Sequence, residues 1–242
     1  MDVALVRAGN PSPYTLDGTN TWIVGREPAW VVDPGPDLAE HVAAVAAEVA
    51  ARGGAGGIAL THDHPDHAEG AGALRDALGG PPVGAMRWPQ AAVALGDGDV
   101  FGPLTALHMP GHAADHLVFV AGDGAFTGDA VLGTGSVFIA PDGGPLAGYL
   151  DALGRLRALG LARLYPGHGP VVEDPAAKLD EYVAHRLERE RRILSAWGAG
   201  ARGDDELLEA AWDAIPDGLR LPATWTLHAH LDKLRGEGRL GP

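Results

Sequence analysis

The segment Thr61–His67, which reads THDHPDH, constrains this chain more than any other part of its sequence. Three histidines and one ligating aspartate lie within six residues, between an apolar run that predicts a strand at 58–60 and an Ala-rich run that predicts a helix ending near Leu78. A single histidine is usually a structural residue, but imidazole and carboxylate groups at this spacing are suitable ligands for zinc, manganese or iron. The segment therefore predicts a metal site.

Further ligand candidates follow later strands, at Pro110-Gly111-His112, Thr127-Gly128-Asp129 and Pro166-Gly167-His168. Each ligand candidate has a glycine beside it, which lets the backbone turn closely around an ion. Loops at strand ends are where a rigid scaffold carries its chemistry, so these segments are expected to meet the first one.

Short apolar, β-branched runs alternate with helical patterns and predict an α/β sandwich over one core. The predicted strands are 21–24, 30–32, 58–60, 104–107, 117–120, 125–127 and 162–165, and the predicted helices are 37–52, the run to 78, and 149–159. After residue 174 the pattern changes to amphipathic helices at 176–197, 204–214 and 225–236. We therefore expect a catalytic domain at 1–174 and a helical domain at 175–242.

The motifs THDHPDHAEG, PGH, TGD and PGHG resemble those of the metallo-β-lactamase superfamily over residues 1 to 172. The resemblance implies a four-layer αββα sandwich that binds two metal ions. It implies that Asp33, in VVDPG, holds the histidine loop without being a ligand. It also implies His62, His64 and His112 for the first ion, Asp66, His67 and His168 for the second, Asp129 as a bridge, and catalytic roles for His64, Asp66 and Asp129.

A narrower resemblance covers nearly the whole chain. The segments NPSPYTLDGTNTWIVG, PGHAADHL, TGDAVLG and LYPGHGPVVEDPAAKLDEYVAHRLERE closely resemble the lactamase-beta-like protein 2 family, although Met109 stands where many relatives carry threonine. That family has a small C-terminal helical domain. We expect the C-terminal helices here to be either winged-helix-like, with a short wing after residue 236, or a plain helical cap packed on the main domain. The family includes a single-strand-selective endoribonuclease and fungal thioesterases that act on carrier-bound polyketides.

Two divalent cations, zinc before manganese or iron, would lower the pKa of a shared water and supply hydroxide near neutral pH. Asp66 is expected to orient that hydroxide and pass its proton onward. The chain lacks cysteine, including at Asp129, where zinc β-lactamases carry one, which argues against antibiotic hydrolysis. Hydrolysis of single-stranded RNA ranks first on the whole-chain resemblance. A glyoxalase-II-like or carrier-bound thioester hydrolase ranks second, and a nucleic-acid-binding regulator with a vestigial metal fold is the non-enzymatic alternative.

Candidate substrate residues lie outside the ligand motifs. His116 is a candidate phosphate or oxyanion contact at the rim of the site, with a structural role as its alternative. The basic helix residues could hold a phosphate-bearing substrate, or form a solvated face paired with Glu188 and Glu190, which is the favoured interpretation. The candidates on that helix are His185, Arg186, Arg189, Arg191 and Arg192, and Tyr14, Asn20 and Thr21 are expected to line the pocket.

The composition of the chain limits which binding partners are expected. The net charge of −14 opposes binding to long polyanions, so broad nucleic-acid affinity is not expected. The N-terminus has no basic start followed by an apolar stretch, and no apolar run approaches membrane-spanning length. We therefore expect a cytoplasmic protein with no membrane partner, either a monomer or a homodimer.

Overall fold

The structure is a computed structural model that describes residues 1–216 and 218–241, and two β-sheets lie at its centre. The strands are β1 Val3–Arg7, β2 Asn20–Val24, β3 Ala29–Val32, β4 Ala55–Ala59, β5 Val83–Ala85, β6 Val93–Ala94, β7 Val100–Phe101, β8 Leu104–His108, β9 Leu117–Ala121, β10 Gly124–Gly128 and β11 Arg163–Pro166. The helices are α1 Ala39–Ala51, α2 Pro65–Ala68, α3 Ala71–Ala77, α4 Leu146–Ala158, α5 Pro175–Gly198, α6 Asp204–Ala211 and α7 Arg220–Gly236.

The first sheet has the strand order β1-β2-β3-β4-β5-β6, and the second has the order β11-β10-β9-β8-β7. The pairs from β3 to β6 are parallel, as is the pair of β10 with β11, and the remaining neighbours are antiparallel. The ends of β4, β8, β10 and β11 lead into the candidate ligand loops, and the end of β3 leads to Asp33.

Side-chain alternation explains why both faces of each sheet are buried. On β9, Leu117 and Phe119 point into the core between the sheets, whereas Val118 points outward against α4 and α5. On β2, Trp22 joins the same central core, and Ile23 packs beneath α1 and α3. Helices therefore cover both outer faces, which confirms the four-layer αββα sandwich.

The Ala-rich helix predicted to run unbroken to Leu78 is two helices, α2 and α3. They separate at Gly70, whose amide donates to the carbonyl of Gly35 at 2.9 Å. A Cβ at Gly70 would lie 3.0 Å from the carbonyl oxygens of Gly35 and Pro36. The close approach of this neighbouring loop accounts for the interruption, which the helical pattern alone did not indicate.

The C-terminal segment forms α5, α6 and α7. Leu179 and Tyr182, in the first half of α5, pack with the core around α4, whereas Ile193 packs with α6 and α7. Helix α7 begins five residues before the prediction, because proline at position 222 is tolerated in a first helical turn.

No strand follows α7 within the described residues, so the expected wing is absent from them. The division of the chain at residue 174 stays a prediction. Within the same residues, no helix combines the length and apolar character that crossing a membrane requires.

Candidate metal centre

The histidine loop is held by the start of α2. His64 occupies the N-cap with an extended backbone, and Pro65 stands at the first helical position, which suits its fixed φ. The amides of His67 and Ala68 both donate to the carbonyl of His64 at 3.0 Å. These bonds place Asp66 and His67 in the first turn, beside the two histidines that precede it.

Three imidazole nitrogens form the first group. His64 Nδ1 lies 3.0 Å from His62 Nε2 and 2.9 Å from His112 Nε2. Tetrahedral zinc with Zn–N bonds of about 2.0–2.1 Å would separate its ligand nitrogens by about 3.3 Å. The observed spacing is therefore close to that of ligands around one zinc ion.

A second group lies beside the first. His67 Nε2 is 3.3 Å from His168 Nε2, and Asp66 Oδ2 is 3.2 Å from the same His168 nitrogen. Asp129 spans the groups, since its Oδ1 lies 3.3 Å from His168 Nε2 and its Oδ2 lies 3.5 Å from His112 Nε2. The structure thus brings all seven candidate ligands together in three overlapping groups: His62, His64 and His112; His62, His67 and Asp129; and Asp66, His67 and His168.

Buried polar atoms test whether the cluster suits a cation. Asp129 Oδ1 is buried and has no hydrogen-bond partner among the described residues. An unpaired buried carboxylate oxygen is costly unless a positive group satisfies it. Two divalent cations between the imidazole nitrogens and the carboxylates of Asp66 and Asp129 would satisfy these atoms, so the donor set fits the metals.

The electrostatics of both groups suit a bound metal cation, for a different reason in each group. Burial, with the neighbouring imidazoles, holds the pKa of His62 well below its usual range, and burial lowers the pKa of His112 to about 4. These rings are neutral, which is the metal-binding form. Burial disfavours charging His168, but Asp129 and Asp66 raise its pKa to about 9. The carboxylates that favour a proton on His168 also favour a metal cation.

Hydrogen bonds on the outer side of the cluster fix the ring orientations. Asp33 accepts from His67 Nδ1 at 2.8 Å and from the Thr61 hydroxyl at 2.8 Å. The Thr61 oxygen therefore accepts from His62 Nδ1, at 3.0 Å. His112 Nδ1 donates to the carbonyl of Phe138 at 3.3 Å. Each of these bonds leaves Nε2 free toward the metal site.

Two glycines allow the strand ends to approach the cluster. A Cβ at Gly167 would lie 2.5 Å from His67 Cε1 and 3.0 Å from Asp129 Oδ1. Gly128 has a φ of 45°, and a Cβ there would lie 2.5 Å from the Thr61 hydroxyl oxygen. The glycines beside the ligands therefore serve close packing as well as turning.

His116 does not lie at the rim of the site. It is fully buried, stacks on His62 with ring centroids 4.8 Å apart, and its Nε2 accepts from the amide of Asp129 at 3.0 Å. Burial holds the pKa of His116 well below its usual range. It is a neutral ring that supports the loop of Asp129, so the proposed phosphate contact is corrected to the structural alternative.

The three candidate pocket residues near the N-terminus lie in different environments. Tyr14 is exposed and lines the cavity above the metal ligands. Asn20 is buried instead, and its amide donates to the carbonyls of Pro166 at 3.0 Å and Gly169 at 2.9 Å, which holds the loop of His168. Thr21 is also buried and bonds to His41.

The basic residues of α5 do not reach the metal cluster. Arg186 is fully buried and donates to the carbonyl of Val137, so it lacks the exposure that a substrate contact requires. His185 and Arg189 line a separate cavity of about 150 Å³, where Arg189 lies over the ring of Trp212. Arg191 and Arg192 pair with Glu188 on the exposed face of the helix. Glu190, expected on the same solvated face, is buried instead and pairs with Lys233.

A cavity of about 710 Å³ opens onto His64, Asp66, His112, Asp129 and His168. Its walls come from the β1–β2 loop, the loop after β10 and the start of α7, and they are mostly apolar. None of the described residues that line it is lysine or arginine. Sequence reasoning missed most of these wall residues, because their apolar side chains resemble those of a core; they include Leu16, Val137, Phe138, Pro222 and Trp225.

Comparison with known proteins decides the family. A family profile described as "Metallo-beta-lactamase superfamily" matches residues 87–168. The chain is 34% identical to the "Atrochrysone carboxyl ACP thioesterase" of Aspergillus chevalieri, over 89% of this chain and 74% of that protein. The chain belongs to the metallo-β-lactamase superfamily.

Two further matches extend this assignment. The chain is 32% identical to a "Beta-lactamase-like protein 2 homolog" of Caenorhabditis elegans, over 79% of this chain and 70% of that protein. A metallo-beta-lactamase family protein from Thermus thermophilus has the same fold, with a TM-score of 0.80 at 23% identity, covering 99% of this chain and 95% of that one. The fold, the family and the ligand cluster together make this member of the superfamily a metal-dependent hydrolase.

Proposed function

We propose that this hydrolase cleaves thioesters whose acyl group is apolar, with zinc as its metal. The observation that carries this proposal is the cavity of about 710 Å³ above the metal ligands, which combines apolar walls with ligand carboxylates and imidazoles at its base. A concave, apolar site with a few convergent polar groups is typical of small-molecule recognition.

The cavity walls suit an acyl group. The rings of Tyr14 and Phe138 meet edge to face with centroids 6.5 Å apart, and Trp225 lines the same space. Burying an apolar group against these side chains contributes roughly 25 cal/mol per Å² of surface removed from water. The reacting carbonyl would then lie at the base, beside Asp66 and Asp129.

The cations, when bound, supply Lewis acidity toward water and toward the substrate carbonyl. The residues of the chain hold the ions and handle the proton. Asp66 is 30% exposed, so it is reachable from the cavity, and its pKa is lowered by His67 and His168 despite burial. It is therefore an ionised carboxylate that can accept a proton from an attacking water and pass it to the departing thiolate.

Two observations rank thioesters above RNA. Among the described residues, no lysine or arginine lines the cavity, and the basic residues of α5 lie elsewhere or are buried. A thioesterase name also belongs to the relative in Aspergillus chevalieri. Proteins that bind RNA hold its phosphates with cationic groups, so this cavity is a poor match for a phosphodiester chain. RNA hydrolysis, first in the sequence ranking, is now the alternative outcome of the test.

The test compares three substrates on one zinc-loaded preparation: an apolar acyl thioester, the matching oxygen ester and a labelled single-stranded RNA. We expect turnover of the thioester, slower turnover of the oxygen ester, and no RNA cleavage. Asp129→Ala should abolish turnover. Asp63→Ala changes an exposed carboxylate in the same loop that lies outside the ligand groups, so it should retain turnover.

RNA cleavage that disappears in Asp129→Ala, with no thioester turnover, would overturn the substrate assignment. Turnover that persists in Asp129→Ala would overturn the metal mechanism. Nucleic-acid binding without turnover of any substrate would revive the non-enzymatic regulator.

A further inference from the structure

Residues 137–139, in the loop between β10 and α4, are held at two consecutive peptide units by bonds from three different parts of the fold. We call them the wall segment. The carbonyl of Val137 accepts from Arg186 Nη2, the carbonyl of Phe138 accepts from His112 Nδ1 at 3.3 Å, and the amide of Ile139 donates to Thr226 Oγ1 at 3.1 Å. The outer two bonds come from α5 and α7, and the middle one leads to a candidate metal ligand.

Burying the Arg186 side chain costs free energy. This side chain is fully buried, and two of its nitrogens, Nε and Nη1, have no partner among the described residues. The guanidinium lies 5.7 Å from the ring centroid of Tyr149, and it forms no ion pair with any carboxylate in the described part of the chain. Burying a charge without a carboxylate is unfavourable. A methionine would fill similar space without that penalty, so packing alone does not account for an arginine. Its bond to Val137 does.

The Thr226 side chain also makes a specific hydrogen bond to the wall segment. Its hydroxyl donates to the carbonyl of Pro222 at 3.1 Å within α7, which leaves its oxygen lone pair free to accept from the amide of Ile139. The residue is buried, so without this acceptor the amide of Ile139 would lose its only described partner.

The wall segment connects these helices to the metal centre. Thr226 holds the amide of the peptide unit that carries the Phe138 carbonyl, and Arg186 holds the preceding unit, so this carbonyl stands where His112 Nδ1 can donate to it. That bond directs His112 Nε2 toward His64 Nδ1, 2.9 Å away. The same residue, Phe138, turns its ring into the cavity against Tyr14.

We propose that Arg186 and Thr226 are positioning residues that hold the wall segment so that His112 presents Nε2 to the first metal ion and Phe138 presents its ring to the substrate. The metal half of this proposal is independent of substrate identity. The substrate half rests on the proposed thioester function.

The first test uses Thr226→Val, which keeps the side-chain shape and removes the acceptor. Zinc affinity is measured by competition with a chromophoric chelator, without substrate. We expect the ion held by His112 to bind roughly tenfold more weakly, as is typical for loss of a partner that orients a ligand. Thr226→Ser should restore the affinity, because it keeps the hydroxyl.

Thr224→Val is the matched control. The Thr224 hydroxyl is exposed and, among the described residues, bonds only to the carbonyl of Arg220 in its own helix. The Thr224→Val variant should bind both zinc ions with unchanged affinity. Wild-type zinc affinity in Thr226→Val, or equal weakening in Thr224→Val, would overturn the metal half of the proposal.

The second test uses Arg186→Met, with Arg189→Met on the same helix as its control. The readout is the imidazole ¹⁵N spectrum of His112 in the metal-free protein, which reports which ring nitrogen carries the proton. We expect a mixture of tautomers in Arg186→Met and the Nδ1–H form in Arg189→Met and the wild type. An unchanged spectrum in Arg186→Met would contradict the role of Arg186, whatever substrate the enzyme turns over.

The substrate half is read from kinetics with the apolar thioester. Zinc-saturated Thr226→Val should show a raised KM, because the Phe138 ring loses its support, and Thr226→Ser should not. An unchanged KM would overturn the substrate half alone. Absence of thioester turnover in the wild type would instead reject the proposed function and leave the zinc results standing.

Discussion

At the residue scale, Asp33 orients one imidazole from each half of the metal cluster. It accepts directly from His67 Nδ1 and, through the Thr61 hydroxyl, fixes the proton of His62 on Nδ1. The residue adopts a left-handed φ of 53°, which is unfavourable for most side chains but tolerated by aspartate and asparagine. One carboxylate thus orients a ligand candidate in each half of the cluster.

We predict that Asp33→Asn weakens binding of both zinc ions by about 10- to 100-fold, the usual effect of removing a carboxylate that orients metal-binding histidines. Asparagine keeps the backbone conformation, but its uncharged side chain accepts less strongly from His67 Nδ1 and Thr61. Chelator competition measures the affinities, with Asp63→Asn in the same loop as control. If Asp33→Asn binds both ions as tightly as the wild type, the role assigned to Asp33 is wrong.

A second prediction concerns Gly167. An alanine Cβ there would meet His67 and Asp129 at 2.5 and 3.0 Å, so Gly167→Ala should displace a ligand and lower kcat by at least about tenfold, as a displacement near 1 Å does. Gly154→Ala is the control, because Gly154 lies in α4 with open space around its Cβ position. It should keep full activity and raise the stability by about 0.5–1 kcal/mol. Steady-state kinetics and thermal unfolding distinguish the two, and full activity in Gly167→Ala would contradict the packing argument.

At the element scale, features that depend on neighbouring residues in the sequence could be predicted, and features that depend on contacts between distant residues could not. Seven of the eleven strands in the described residues and the THDHPDH loop were predicted, because alternation and ligand spacing are local patterns. The strands β1, β5, β6 and β7 were not predicted. The break between α2 and α3 and the wall segment were not, because Gly70 meets a loop from β3 and Ile139 bonds to Thr226, 87 positions away. His116 was ambiguous for the same reason: only the folded chain shows that it is enclosed.

The packing of α7 against α5 yields a prediction on pH. His230 is fully buried on α7, its Nδ1 lies 3.7 Å from Glu190 Oε1, and Arg186, Arg189 and Lys233 lie nearby. Burial is the main cause that lowers the pKa of His230 from 6.5 to about 4. Below pH 6.5 the unfolded chain binds a proton that the folded chain does not. The stability present above pH 6.5 is therefore lost as the pH falls to about 4.

The expected loss from His230 is on the order of 3 kcal/mol across this window. It is measured from urea unfolding of the metal-free protein at pH 7 and pH 4.5. His230→Phe should reduce the pH dependence, whereas His228→Gln, on the exposed side of the same helix, should leave it unchanged. Equal pH dependence in His230→Phe and the wild type would show that His230 does not cause the loss.

At the scale of the whole molecule, the negative net charge and the lining of the cavity both disfavour the approach of an anionic substrate. The chain carries a net charge of −14, and two divalent cations would reduce this only to −10. The cavity that leads to the ligands has no described lysine or arginine in its lining to offset this field. An anionic substrate therefore approaches against repulsion, whereas a neutral one does not.

This difference predicts a dependence on salt. For a coenzyme A thioester, whose phosphates are anionic, we expect kcat/KM to rise about threefold as salt is raised to about 0.3 M, because screening shortens the reach of the repulsion. A neutral N-acetylcysteamine thioester with the same acyl group should show little change, and it serves as the control for effects of salt on zinc and on folding. Stopped-flow or steady-state kinetics at several salt concentrations measures both. A rate for the coenzyme A thioester that falls with salt would instead reveal a cationic docking surface near the cavity mouth, and the acidic surface would then not control access to the site.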